Sequence, residues 1–368
     1  MNKLIFILLA ILSISSKVSP ESWALIETQI RNKFTDPDWT ELDSPARKLK
    51  EDSVTNRVNL VKIVLQDAEY YDINFYSYLG AGSYGIVLSG IYTDGTNRKK
   101  TIKIHFEDAD DCDSGLDAFN KYQRIMATEK AKFIIEIEEP KKFNDGQHHY
   151  ACAFLMEKAY DTNDLQFKDG IGNKLANTNN MIHFTVSAIE AFYRLNFQSI
   201  FYHGDVKPQN LVWVKNKFGL TEVRIIDLDL AFSPKFDYLI PDLSQAPIPK
   251  FKAPNFVVYT LRYRSPELRI FIPGGDYKNR KELEEYRENC HFDLKFKEEA
   301  YAVGKTLTEI INYTNYDTFI DKTDTRIVKI LRVLNGMQTH NVNDRLSTMD
   351  AYRLLGGLLV GLEHKLHI

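Results

Sequence analysis

The stretch His203-Gly204-Asp205-Val206-Lys207-Pro208-Gln209-Asn210 sets a carboxylate, an ammonium group and a side-chain amide close together in one short segment. A lone Asp or Asn in a loop is ordinary turn or cap chemistry. A base, a cation and an amide in one loop are a candidate reactive site. Upstream, Ile182, Val186, Ile189 and Tyr193 recur at helical spacing, so a long helix leads directly into the octet. Downstream, Leu211 to Val214 and Val223 to Ile226 read as a hairpin that ends at Asp227, with Leu228 and Asp229 next. The second half is mostly helical, interrupted by an irregular, proline-punctuated stretch over 232–255 that is too long for an ordinary connection.

The first half has a different character. Tyr76 to Leu79 and Ile86 to Tyr92 flank the turn Gly80-Ala81-Gly82-Ser83-Tyr84-Gly85, and Asp94-Gly95 leads on to Thr101 to Phe106. These three runs predict an antiparallel meander. Glycines at such a turn let backbone N–H groups approach phosphate oxygens with no Cβ in the way. A dinucleotide-binding reading fails, because the residues after Gly85 are strand-like rather than helical. Lys103 follows on the third strand, where an isolated lysine is usually a solvated face residue. Asp117 to Lys130 reads as a helix and Tyr150 to Met156 as a buried strand.

In this order the motifs resemble those of the eukaryotic protein kinase superfamily, Ser/Thr type, from about Tyr76 to Leu362. The octet is similar to the catalytic loop, Asp227-Leu228-Asp229 to the metal-binding DFG triplet, and Thr260 to Glu267 to the end of the activation segment. The resemblance implies an α+β, bilobal protein-kinase-like fold. Its small antiparallel-sheet lobe would span about 73–158 and its mostly helical lobe about 159–365. It implies ATP with Mg²⁺ or Mn²⁺ as cofactors. Asp205 would then accept the proton of a substrate hydroxyl, Lys207 would steady the transferred phosphoryl group, and Asn210 and Asp227 would hold the metal. Gly80, Gly82, Ser83, Gly85 and Lys103 would face the phosphates. Leu79, Val87 and Val212 would sandwich the base, with Met156 as gatekeeper and Glu157 to Ala159 as hinge. Glu267 would pair with Arg345, and Glu299, just before Tyr301-Ala302-Val303-Gly304, stands where the family usually has Asp. Lys207 points to a protein Ser/Thr hydroxyl as acceptor.

The chain departs from the pattern in three places. Tyr122 stands where a helix Glu would pair with Lys103, leaving Asp117 or Glu129 as substitutes after a register change. Gly204 replaces the arginine that clamps an activation-loop phosphate in many kinases, which implies activation without loop phosphorylation. Asp229 replaces the DFG glycine. These departures keep two alternatives open: a pseudokinase that binds nucleotide or a partner, and a small-molecule kinase similar to aminoglycoside and choline kinases.

At the start, Lys3 precedes the apolar run Leu4 to Leu12 and the small residues Ser13, Ser15 and Ser16. This reads as a signal peptide over 1–16, placing the protein in the secretory lumen or outside the cell. The run is shorter than the roughly 20 residues of a bilayer span, so no membrane span is expected after cleavage. An N-terminal extension over 17–72, partly helical, follows. Three cysteines, Cys112, Cys152 and Cys290, are too few for a disulfide framework and leave their own state open. Net charge is -3, which gives no field to recruit nucleic acid.

Overall fold

The computed structural model describes residues 20–35, 44–67, 72–81, 85–95, 98–107, 112–128, 133–161, 178–215, 221–228, 231, 233, 261–266, 296–312 and 320–358. The chain divides into two compact units, Met1–Asn120 with Glu136–Lys158, and Lys121–Ile135 with Ala159–Ile368.

The first unit is built on an antiparallel sheet of order β1-β2-β3-β5-β4. Its strands are β1 (Ile73–Ala81), β2 (Gly85–Tyr92), β3 (Lys99–Glu107), β4 (Lys141–Asn144) and β5 (Tyr150–Glu157). The expected meander is present with longer strands. In β4 only Phe143 is buried and apolar, too faint a signal for period-two reading. Register fixes which side chains share a face: Ile86 lies opposite Ile104, Leu88 opposite Ile102, and Ile102 opposite Leu155. That face is closed by α1 (Pro20–Phe34) and α2 (Ser44–Leu65), whose Ile26, Ile30, Val58, Val61 and Val64 join the same core. The helices before residue 73 thus supply part of the sheet's hydrophobic cover. Arg57 stacks on the Phe34 and Phe106 rings, 4.3 and 5.1 Å from their centres. Lys141 pairs with Asp67 at 2.8 Å, and Asn56 meets His149 Nε2 at 2.8 Å, fastening α2 and the residues after it to the β4–β5 hairpin.

Cys112 precedes α3 (Asp113–Thr128) in a left-handed conformation, φ 55°, and is disulfide-bonded to Cys152 of β5. The helix start sits so close that a Cβ on Gly115 would run into the Cys152 sulfur. Cys290 lies outside the described residues. The bridge closes a loop of sequence separation 40, for which chain entropy gives a stabilisation of about 4 kcal/mol. The Cys112→Ser/Cys152→Ser variant is therefore expected to melt well below the oxidised protein in thermal circular dichroism, close to the reduced wild type. Coincident melts of variant and oxidised wild type would show that the bridge contributes nothing.

The second unit centres on α4 (Thr178–Tyr193), buried on nearly every side from Met181 to Phe192. Such a helix is a core element rather than an amphipathic surface one. A widened π turn, Arg194–Gln198, follows it and turns Leu195 and Asn196 inward. A small antiparallel sheet holds β6 (Tyr160–Asp161), β7 (Leu211–Lys215) and β8 (Thr221–Ile225) in that order. Its Leu211, Trp213, Val223 and Ile225 share a core with α4. The remaining described helices are α5 (Lys297–Asn312), α6 (Thr325–Met337) and α7 (Thr348–Leu355). Glycine is required at 304, because a Cβ there would lie 2.8 Å from Met337 Cβ and 3.1 Å from the Leu334 carbonyl. Among the described residues no helix is long and apolar enough to cross a membrane.

Candidate active site

The octet begins where the chain leaves the π turn, and it is anchored from below by a buried carboxylate. Glu299, in the first turn of α5, is fully buried and accepts the backbone N–H groups of His203 and Gly204 at 2.7 and 3.1 Å through Oε2. Its Oε1 accepts Asn196 Nδ2 at 2.7 Å. Asn196 also donates to the Phe201 carbonyl at 2.9 Å and accepts the Thr348 hydroxyl at 3.0 Å. Burial pushes the Glu299 carboxyl up to about 7, although its N–H partners pull the other way. Gly204 has φ 81°, in the left-handed region, so the arginine usual in the family would be strained at this position.

His203 orders the next layer. Its Nε2–H donates to the Ile226 carbonyl at 2.8 Å and its Nδ1 accepts the Asp205 N–H at 3.2 Å, the neutral tautomer. Burial holds its pKa below the ordinary histidine value. Pro208–Asn210 then forms a 3₁₀ turn, in which Asn210 Nδ2 donates to the Asp205 carbonyl at 2.9 Å and to Asp205 Oδ2 at 3.3 Å. Lys207 forms an ion pair with Asp205 Oδ2. Ile226 N–H donates to the Asn210 carbonyl at 3.1 Å, which splices the octet to the residue just before Asp227. Asp227 itself is left-handed, φ 65°. The residues at this point fit a divalent cation of the magnesium type. The Asn210 amide nitrogen is committed to Asp205, which leaves Oδ1 as a neutral oxygen donor, and Asp227, one residue beyond the backbone bond from Ile226 to Asn210, adds a carboxylate. One carboxylate and one amide oxygen suit a hard ion that takes its other ligands from phosphate and water.

The remaining candidates of the first unit lie on its sheet. Val87 sits opposite Lys103, Lys103 opposite Phe154, and Met156 opposite Thr101, so Val87, Lys103 and Met156 share the face turned away from the helices α1 and α2. Leu79 is exposed on β1, and a Cβ on Gly80 would meet open space, so no packing demand explains that glycine. Gly85 has one, since a Cβ there would run into the Ile104 carbonyl. Gly82 and Ser83 lie outside the described residues. The Glu157 N–H is taken by the Glu136 carbonyl at 2.9 Å. Ala159 opens the second stretch of the second unit, and Val212 is half-buried on β7 opposite Arg224. Asp205, Lys207, Asn210 and Asp227 are thus gathered in the second unit, while Lys103 and the glycine-rich turn belong to the first.

The departures acquire physical content. Tyr122 is partly buried and packs on the core of the second unit, a place where an acid would be desolvated. Asp117 is half-buried on α3, and Glu129, Asp229 and Glu267 lie outside the described residues. Arg345 is almost wholly buried. Its guanidinium gathers the carbonyls of Thr339, Lys297 and His340 at 2.8, 3.0 and 3.1 Å and lies over the Tyr301 ring. Asn196 and Lys121, both buried and hydrogen-bonded near the octet, escaped sequence reasoning. A polar residue inside the apolar run Leu195-Asn196-Phe197 was the available signal for the first.

The family model of the protein kinase domain matches residues 73–282, more than half of the chain. No curated protein matches the chain.

Proposed function

The chain belongs to the protein kinase family, and from that premise we propose that it transfers the γ-phosphoryl group of ATP to a Ser or Thr hydroxyl of a protein, with Mg²⁺ or Mn²⁺. The observation that carries this reading is the joining of Asp205, Lys207 and Asn210 in one hydrogen-bonded loop that is spliced through Ile226 to Asp227. Asp205 receives the hydroxyl proton as the oxygen attacks phosphorus and the bond to the β-phosphate oxygen breaks. Lys207, paired with Asp205 in the resting site, is in reach of negative charge arriving beside that carboxylate. Asn210 and Asp227 would hold the metal, which would supply positive charge against the phosphates. Lys103, which the family resemblance assigns to the phosphates, lies on the strand face that it shares with Val87 and Met156.

A second reading, nucleotide binding without transfer, draws on Tyr122, which stands where the family resemblance puts a helix acid. The apolar leader and the Cys112–Cys152 bridge support work in an oxidising compartment, the secretory lumen or the cell exterior. One assay separates the possibilities: labelled ATP with Mg²⁺ or Mn²⁺, offered casein-like protein, aminoglycoside or choline as acceptors. Label is expected in Ser and Thr of the protein. Label in a small molecule alone would reassign the substrate, and none anywhere above background would favour the binding reading. Phosphatase-treated enzyme is expected to be as active as untreated, since Gly204 offers no cation to a loop phosphate.

A further inference from the structure

Lys121 of α3 is only 7% exposed, and its Nζ donates to the carbonyl of Leu228 at 3.3 Å. Leu228 follows Asp227 directly, and the same carbonyl accepts the Ala231 N–H at 2.9 Å. Both acceptor positions of that oxygen are therefore in use. Burying an ammonium group is costly, and its hydrogen bonds offset that cost. Here they fix the far side of a strained residue. A non-glycine residue held at φ 65° persists only where its surroundings over-determine it. On the near side of Asp227, Ile226 N–H is tied to Asn210 and the Ile226 carbonyl to His203. On the far side, Ala231 and Lys121 hold Leu228. The neighbouring Tyr122 packs into the same unit's core, which seats this turn of α3 and aims Lys121 at the carbonyl.

We propose that Lys121 is a positioning residue that clasps Leu228 and so holds the Asp227 carboxylate in the orientation that receives the divalent cation. The clasp ties metal affinity to the turn of α3 that carries Lys121, within the second unit. This inference rests on the reading of Asp227 as a metal ligand.

The test is binding, with the full chain and a fluorescent ATP analogue. Mg²⁺ is titrated into wild type, Lys121→Met and Lys121→Arg, and nucleotide affinity is measured separately in EDTA. Lys121→Met is expected to weaken the Mg²⁺ dependence about tenfold, the worth of one charge-assisted hydrogen bond, and to leave affinity in EDTA unchanged. Lys121→Arg, which retains a charged donor, is expected to recover most of the loss. Should Lys121→Met melt below the assay temperature, Lys121→Gln is titrated in its place, with the same direction expected. Unchanged or tighter Mg²⁺ binding in the variant overturns the clasp, and so does equal weakening with and without metal, which would mark a general packing role. A wild type that binds nucleotide with no response to Mg²⁺ fails at an earlier step: it overturns the reading of Asp227 itself, and with it the clasp.

Discussion

Asp205→Asn is expected to lower kcat by about 10²–10⁴-fold, the range a positioned proton acceptor supplies, while leaving ATP–Mg²⁺ affinity within a few-fold of wild type. The separation follows from what the substitution spares. The Asp205 backbone keeps both its bonds, N–H to His203 Nδ1 and carbonyl from Asn210 Nδ2, so the loop and the metal-holding amide remain in place. What disappears is the anion that pairs with Lys207 and to which the proposed function gives the hydroxyl proton. The carboxylate of that pair is buried, with side-chain exposures of 25% for Lys207 and 10% for Asp205, so a thermal melt of the variant accompanies the kinetics to separate lost stability from lost chemistry. Steady-state transfer of labelled phosphate gives kcat, and fluorescence titration with nucleotide gives affinity. A kcat within a few-fold of wild type would remove Asp205 from the role of base, and a matching collapse of nucleotide binding would mean that the loop had moved.

The candidate site was legible where local chemistry and chain order agree. His203 to Asn210 packs its base, cation and amide within one turn, and the hairpin ending at Asp227 follows from two short apolar runs whose partner strands are adjacent in sequence. The β2–β3 pairing was legible for the same reason, since alternation in Ile86 to Leu88 and Ile102 to Ile104 fixes both register and face. Long-range contacts left fainter traces. α1 offers the core chiefly Ile26 and Ile30 among polar neighbours, so nothing in its own sequence announces that it covers a sheet. The bridge between Cys112 and Cys152 depends on α3 meeting β5, a tertiary event that cysteine counting does not reach. Lys121 looks like any surface lysine on an amphipathic helix until its carbonyl partner, more than a hundred residues away, is in place. Tyr122 is the converse, a departure from family pattern that becomes intelligible once it is seen to pack, partly buried, against the core.

Glu299 yields the second large effect, and its sign is set by competition between burial and hydrogen bonding. Glu299→Ala would leave three donors without their acceptor in the interior, the N–H groups of His203 and Gly204 and the Asn196 amide. At about 1–3 kcal/mol for each buried unsatisfied group, the loss comes to about 3–9 kcal/mol, a large share of the roughly 5–15 kcal/mol that holds a domain folded. Glu299→Gln is the informative variant because it retains the shape and removes the titration. A carboxyl raised from 4.5 in the unfolded chain to about 7 in the folded one favours the folded state most below the lower value. In the interval the folded protein binds a proton that the unfolded chain has released, so stability falls as pH rises, by roughly 3 kcal/mol across the whole window. His203 works in the opposite direction, since its lowered pKa means that stability lost on acidification returns as pH climbs towards the ordinary histidine value. Both proteins contain His203, so the difference between them isolates Glu299 to the extent that the two residues titrate independently. Urea denaturation of wild type and Glu299→Gln at pH 5 and pH 8 is expected to show wild type losing ground to the variant at the higher pH. Parallel pH profiles would mean that Glu299 is ionised throughout, with its N–H donors outweighing burial. The octet would then rest on a permanent anion rather than on a carboxyl that exchanges its proton near neutrality.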